Sequence, residues 1–127
     1  MFQLHCKSMK NKSSYQALTK NEREILERLL EADFPGREQI RQQFNNCLVT
    51  IIDECGSLRF DIKSDIKAPV IKRVPIEAEV KDVDGVPIHL LLHVVDGKLT
   101  ELEIYKEDSS PIAEMPVASK LQLIRLD

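Results

Sequence analysis

The chain contains no tryptophan, and aromatic residues make up only 5% of its 127 residues. Its core must therefore be built mainly from leucine, isoleucine and valine. No apolar run approaches the roughly 20 residues that a membrane-spanning helix needs, and the first ten residues lack the apolar segment of a signal peptide. The three cysteines are odd in number and form no CxxC pair. From these absences we expect a cytoplasmic protein with reduced thiols and no membrane contact.

The chain also has no net positive charge, because its formal net charge is -3. Lys7, Lys10 and Lys12 precede residue 18 without any acidic residue, so the rest of the chain is more acidic than the whole. A domain of that sign repels phosphate backbones, which disfavours direct binding of nucleic acid. A basic macromolecular partner is electrostatically favoured.

Length and patterning predict one domain with one modest core, since 43% of the residues are hydrophobic. Residues 9–17, "MKNKSSYQA", are polar and show no hydrophobic period. We therefore predict a disordered tail over 1–17 and a single α+β domain over 18–127.

Two helices are predicted at the start of this domain. Thr19 and Glu22 have the spacing of a capping box, and Pro35 ends the first helix because it forces the preceding residue out of helical geometry. The second helix is predicted over about 37–46. The apolar stripe of the first helix consists of Ile25, Leu26, Leu29 and Leu30.

From residue 47 onward the pattern indicates strands. "LVTIIDE" and "SLRFDIK" flank "ECG", and three later runs are separated by "VDG" twice, which is a hairpin signal. "KLQLIRL" predicts a last short strand. The predicted architecture is two amino-terminal helices packed on one face of an antiparallel five- or six-stranded sheet, made from a hairpin plus a three-strand meander. The strand order across residues 63–73 stays open.

Strand register follows from keeping carboxylates out of the core. A two-residue Asp96-Gly97 loop would pair Leu92 with Glu101, so we predict three-residue loops ending in glycine in all three hairpins. This register pairs Val80 with Ile88, Leu90 with Leu102 and Thr50 with Phe60.

The opposite side of the predicted meander carries the candidate site. One predicted row across the three strands is Glu79, His89 and Glu103, and the next is Glu77, Leu91 and Glu101. Cross-strand neighbours stand roughly 5 Å apart, so these residues form a compact patch. We call it the acidic face, and its members are Glu77, Glu79, His89, Leu91, Glu101 and Glu103.

"HLLLH", residues 89–93, resembles a metal clamp only if it is helical. In a strand, His89 and His93 lie about 13 Å apart along the chain, too far for two nitrogens that each need about 2 Å to a metal. We predict no metal site and no cofactor. Asp82-x-Asp84-Gly85 lacks the other ligands of a calcium loop and is predicted to be a turn. Cys55, at a hairpin tip, is interpreted as an inert loop cysteine rather than a reactive thiol.

The segments "LTKNEREILERLLEADFPG", "RVPIEAEVKDVDG" and "VPIHLLLHVVDGKLTELEIY" resemble a family of small bacterial proteins over residues 18–106. Some proteins of this kind are immunity partners of contact-dependent growth inhibition or related polymorphic toxins. The resemblance implies a non-enzymatic cytosolic binding protein. It carries over no active-site residue, because the matching motifs are caps, turns and strand faces.

The residues and the resemblance together predict an immunity protein that binds a cognate toxin domain, such as a nuclease, and occludes its active site with the acidic face. The alternative is a small-molecule-binding or enzymatic domain centred on His89 with Glu79 and Glu103. A third class, an assembly subunit, would require an apolar rather than an acidic interface.

Overall fold

The computed structural model describes Cys6 and residues 14–125, except the side chain of Arg125. The first helix, α1, spans Lys20–Leu29, and the second, α2, spans Arg37–Phe44. The strands are β1 (Leu48–Ile51), β2 (Leu58–Asp61), β3 (Ile76–Lys81), β4 (Pro87–Val95), β5 (Lys98–Lys106) and β6 (Gln122–Arg125). All strand pairs are antiparallel, in the order β1-β2-β5-β4-β3-β6. The α+β class and the last short strand are confirmed.

The helix boundaries follow from local sequence signals. Thr19 Oγ1 accepts a hydrogen bond from the Glu22 amide, and the Glu22 carboxylate accepts one from the Thr19 amide, so the predicted capping box is confirmed. Gly36 is the N-cap that precedes α2 and has φ of 96°, a conformation that glycine adopts without strain. Helix α2 ends at Phe44, two residues before the predicted end.

The core is one cluster of buried residues from both helices and from the sheet. Helix α1 contacts β3, and α2 contacts β5. Gln43 of α2 strengthens the second contact, because its side chain binds Gly97 O and Leu99 N, both at 2.8 Å. The buried residues of this cluster include Ile25, Leu26, Leu29, Ile40, Phe44, Ile76, Ala78, Leu90, Leu92 and Leu102.

The three hairpins do not share one loop type. The β3–β4 register is as predicted, with Val80 opposite Ile88 and a loop ending in Gly85 at φ of 86°. The β1–β2 register is shifted by one residue, and the predicted Thr50–Phe60 pair is wrong because Val49 faces Phe60. The cause is Asp53, which belongs to the loop. Its Oδ1 accepts hydrogen bonds from the amides of Cys55 and Ser57, at 3.0 and 3.1 Å.

The β4–β5 hairpin also departs from the prediction. Its loop is Asp96-Gly97, and both residues have positive φ, as a two-residue type I′ hairpin turn requires. A bulge beside His93 and Val94 then shifts the register, so that Leu92 faces Leu102 and Leu90 faces Ile104. The predicted pairing of Leu90 with Leu102 is therefore wrong by two residues. An even shift leaves every side chain on the predicted face of the sheet.

The Asp82–Gly85 turn is confirmed as a turn, and it surrounds a buried lysine. Lys106, 1% exposed, donates hydrogen bonds to Asp82 Oδ2 at 2.9 Å and to Asp84 Oδ2 at 2.7 Å. These hydrogen bonds are the largest cause that lowers the pKa of both carboxyl groups and raises the pKa of Lys106. Asp82 also accepts hydrogen bonds from the amides of Ala113 and Glu114. The cluster therefore fixes the loop that follows β5.

Most of the predicted tail, residues 1–5 and 7–13, lies outside the described residues. Gln16, inside the predicted tail, exchanges two backbone hydrogen bonds with Val49, at 2.9 and 2.8 Å. Cys6 forms a disulfide bond with Cys55, while Cys47 is free and buried. The expectation of three reduced thiols is therefore wrong for this pair. Its physical reason is that folding brings together two cysteines 49 residues apart in sequence, a proximity that spacing does not reveal.

Candidate functional site: an acidic sheet face with two histidines

His89 lies at the centre of a cluster of carboxylates on the side of the sheet opposite Ile88, Leu90 and Leu92. Its Nδ1 is 3.2 Å from Glu77 Oε2 and 4.0 Å from Glu79 Oε1. Its Nε2 is 2.8 Å from Glu107 Oε1. The imidazole is stacked on the ring of Tyr105, with centroids 5.0 Å apart.

This geometry gives each imidazole nitrogen a carboxylate partner. A neutral imidazole carries one N–H and can donate to only one of them, whereas an imidazolium donates to both. Burial, followed by the nearby carboxylates, raises the pKa of Tyr105, so the phenol keeps its proton at neutral pH. The cluster thus offers carboxylate acceptors and one imidazole beside a neutral phenol.

The structure brings together only part of the predicted rows. Glu79 faces His89, and Glu77 faces Leu91, as predicted. Tyr105 occupies the position opposite His89 where Glu103 was predicted, because the β4–β5 register differs by two residues. Glu103 faces Leu91 instead.

Glu101 and Glu103 are associated with the second histidine. Glu101 lies opposite His93 in the sheet. Glu103 Oε1 is 2.7 Å from His93 Nε2, and both side chains are buried, at 5% and 3% exposed. The predicted acidic face therefore divides into an outer cluster around His89 and a buried pair around His93.

The protonation of His93 follows from its neighbours. Arg73 Nε is 3.1 Å from His93 Nδ1, and an arginine nitrogen can only donate, so Nδ1 is the acceptor. The proton of a neutral imidazole then lies on Nε2 and is donated to Glu103. Arg73 is held in place by its own carbonyl, which accepts a hydrogen bond from the Val94 amide at 2.8 Å. The sequence offered no signal for this arrangement, because it depends on the loop before β3.

The same geometry bears on metal binding. His93, Glu101 and Glu103 each present a ligand atom within 4.8 Å of the others. However, binding through Nε2 would move the proton to Nδ1, which already faces the Arg73 donor. Metal-bound histidines usually donate their second N–H to an acceptor, so this cluster fits a hydrogen-bond network better than a metal centre. The absence of a metal site stays a prediction.

The carboxylates of this side of the sheet have histidine partners, and Arg59 lies opposite Glu101 in the β2–β5 pairing. Among the described residues, no lysine or arginine forms an ion pair with any of Glu77, Glu79, Glu101, Glu103 and Glu107. Glu79 and Glu107 are the more accessible, with side chains 32% and 58% exposed. The surface therefore presents negative charge to solvent.

Three surface clefts formed by described residues lie away from the two histidines. One is lined by residues that include Val80 and Met115, a second by Glu24 and Val117, and a third by Val70 and Val95. None of these three clefts has His89, His93 or the five glutamates in its lining. In the described part of the chain, no helix is long and apolar enough to cross a membrane.

These features define an α+β domain with a six-stranded antiparallel sheet and an acidic, solvent-facing surface. Residues 15–116 match a domain of unknown function, DUF6984, so the chain belongs to the DUF6984 family. No curated protein and no solved structure matches the chain in the corresponding comparisons. The matched range contains α1, α2 and β1 to β5, and therefore all the residues of the acidic face.

Proposed function

We propose that this protein is a cytoplasmic immunity-type protein that binds a cognate toxin domain and blocks its active site by occupation. The observation that carries the proposal is the set of carboxylates around His89, which no lysine or arginine of the described chain neutralises. A charged surface that no lysine or arginine of the described residues pairs with is complementary to a surface of opposite charge on another protein.

The proposal requires the acidic face to be open. Its finer architectural part is that both helices cover the opposite side of the sheet, which their contacts with β3 and β5 support. Glu79 and Glu107 would then make first contact, while the buried Glu103 supports the surface from below. Leu91 supplies an apolar position among the carboxylates.

A nuclease is the toxin class that suits this charge best. Its active site binds phosphate and is therefore basic, so a carboxylate surface imitates the charge of the substrate. Opposite charges also accelerate encounter between the two proteins. Neutralisation by occupation needs no chemistry from His89.

The enzymatic alternative has less support. It requires Glu79 and Glu103 on either side of His89, but Glu103 binds His93. None of the three clefts described above includes His89, whereas small-molecule sites are usually concave. The assembly-subunit alternative requires an apolar interface, and Leu91 is the one apolar member of the acidic face.

The test uses the gene directly upstream of the gene for this chain. The carboxy-terminal domain that it encodes is expressed under inducible control in cells with and without this protein. We expect growth arrest that this protein relieves, and co-purification of the two chains. Growth that is unaffected by the upstream domain, or arrest that this protein does not relieve, counts against the proposal.

A further inference from the structure

We propose that Cys6 and Cys55 form a reversible redox latch, which ties Cys6 to the β1–β2 hairpin and has Asp53 as its internal hydrogen-bond acceptor. The latch is the Cys6–Cys55 disulfide bond. It is a modification site for small thiols, outside the acidic face and independent of the function proposed above.

The first supporting observation is the state of Asp53. Its Oδ1 accepts hydrogen bonds from the amides of Cys55 and Ser57, but its Oδ2 is buried and has no hydrogen-bond partner among the residues that the structure describes. The residue is only 2% exposed. A buried polar atom without a partner is costly, so the oxidised form leaves an acceptor unsatisfied.

The second observation is the position of both sulfur atoms. A carboxylate oxygen of Asp53 and the two Sγ atoms all lie within 4.8 Å of one another. Cys6 Sγ is also 3.4 Å from Ile104 O. In the disulfide neither sulfur carries a hydrogen, so neither can donate to these oxygens.

Reduction supplies the missing donors. The thiolate of a small thiol attacks one sulfur, forms a mixed disulfide and releases the other cysteine as a thiolate. A second small thiol then displaces the first, so that two small thiols become one disulfide. Cys6 and Cys55 together take up two electrons and two protons. The new Cys6 S–H can donate to Ile104 O, and the new Cys55 S–H lies beside Asp53, so the fold accommodates both redox forms.

The latch lies at one end of the pairing between β2 and β5. Strand β2 pairs with β5 only through Leu58 and Arg59. Just before β2, Ser57 Oγ accepts a hydrogen bond from the Ile104 amide and donates one to the Ile104 carbonyl, at 2.9 and 3.2 Å. Because Cys6 lies against the same carbonyl, oxidation holds Cys6 beside this end of the β2–β5 pairing, and reduction removes the covalent link.

The experiment measures the thiol–disulfide equilibrium in glutathione buffers that contain a metal chelator. Samples are quenched with acid, their free thiols are alkylated, and the mass of each protein is measured by mass spectrometry. All proteins carry Cys47→Ala, which removes the free cysteine. Asp53→Asn and Asp53→Ser both keep an acceptor for the hairpin amides but lack the second oxygen, and Asp61→Asn on β2 is the matched control.

We expect one two-electron transition between the latched and dithiol forms. Both Asp53 variants lose an acceptor that is used only in the reduced form, so their equilibrium should shift toward the disulfide by about tenfold. The control Asp61→Asn should leave the equilibrium unchanged. Asp53 variants that titrate like the parent would remove Asp53 from the proposal. Full alkylation of Cys6 and Cys55 at every buffer composition would overturn the latch itself.

A second readout does not depend on Asp53. Trypsin cleavage after Lys7 would leave a peptide of residues 1–7 attached to the oxidised protein through Cys6. We expect this peptide to appear only after reduction. Its release from the oxidised protein without a reductant would also overturn the latch.

Discussion

Glu103 accepts a hydrogen bond from His93 Nε2 at 2.7 Å, and both side chains are almost completely buried. The Glu103 carboxylate is therefore buried next to the neutral imidazole of His93. The positively charged Arg73 lies on the other side of that ring. Arg73, His93 and Glu103 therefore form one linear network. Removing the middle member leaves two groups of opposite charge without their shared partner.

This network predicts that substitutions of two glutamates on the same strand lower the free energy of unfolding by different amounts. Glu103→Gln should lower the free energy of unfolding by about 1–3 kcal/mol, because it replaces a charge-assisted hydrogen bond with a weaker one and adds an amide that needs its own acceptor. Glu101→Gln is the control, since Glu101 lies on the same strand and face but is only half-buried. Urea unfolding at neutral pH measures both. If Glu103→Gln and Glu101→Gln lowered the free energy of unfolding equally, the network would be contradicted.

His93→Leu should be more destabilising than Glu103→Gln, since it leaves the Glu103 carboxylate buried and unpaired. The double variant His93→Leu with Glu103→Leu should then lose less than the sum of the two single leucine variants. Additive losses in this cycle would show that the two residues act independently.

The buried Lys106 predicts a specific dependence of stability on pH. Lys106 lowers the pKa of Asp82 and Asp84 in the folded protein. Their contribution to stability is therefore complete above the ordinary carboxyl pKa of about 4 and is lost as the pH falls below it. The pKa of Lys106 is raised, so its contribution is complete below about pH 10 and is lost as the pH rises further.

Lys106→Met should lower the melting temperature at pH 7 by roughly 10 °C or more, because Asp82 loses its buried partner. The same variant should lose less additional stability between about pH 4 and pH 2 than the parent. Lys63→Met is the control, since its ion pair with Asp61 is exposed, and such pairs contribute little. Parallel pH profiles for the parent and Lys106→Met would contradict this account.

Local signals predicted the fold best. The Thr19–Glu22 capping box and the loop ending in Gly85 depend on residues within a few positions of each other, and both are confirmed. The alternation of apolar and acidic residues also placed Glu77 and Glu79 on the correct side of the sheet. These features need only the periodicity of a strand or the chemistry of one turn.

The site was predicted less completely, because it depends on exact register. Rejecting a register with carboxylates in the core identified the correct face, but a three-residue loop and a two-residue loop followed by a bulge satisfy that criterion equally. The second arrangement occurs, and it moves Glu103 from His89 to His93. Arg73 and Cys6 were missed for a related reason. Each reaches its partner through tertiary packing, which leaves no pattern in the nearby sequence.

The turn between β4 and β5 supports a further prediction. Gly97 has φ of 78°, and a Cβ at this position would lie 2.9 Å from Lys67 Cβ and 3.3 Å from Ala68 N. Gly97→Ala should therefore lower the free energy of unfolding by more than the roughly 1 kcal/mol that positive φ alone costs. Gly85→Ala is a matched control, because Gly85 has φ of 86° but a Cβ added there would meet no atom within 4 Å. Equal losses by urea unfolding would show that the contact with Lys67 and Ala68 is unimportant.

The last prediction tests the acidic face as a binding surface. Glu79→Lys combined with Glu107→Lys reverses the two accessible carboxylates beside His89 and leaves the buried Glu103 intact. Because exposed ion pairs contribute about 0–1 kcal/mol, this variant should remain folded, with nearly the parental melting temperature. Its association with the toxin domain should slow by at least about tenfold at low salt, since opposite charges steer the encounter.

The control for this variant reverses two exposed glutamates elsewhere, Glu24→Lys and Glu114→Lys. Both variants have the same net charge, so a difference between them reports position rather than overall charge. The difference in association rate should shrink as salt rises, because the Debye length falls to about 8 Å at physiological ionic strength. Stopped-flow measurements at several salt concentrations provide the comparison. If the two variants associate equally fast and protect cells equally well, the toxin must bind another surface, and the uncompensated carboxylates around His89 would have no part in neutralisation.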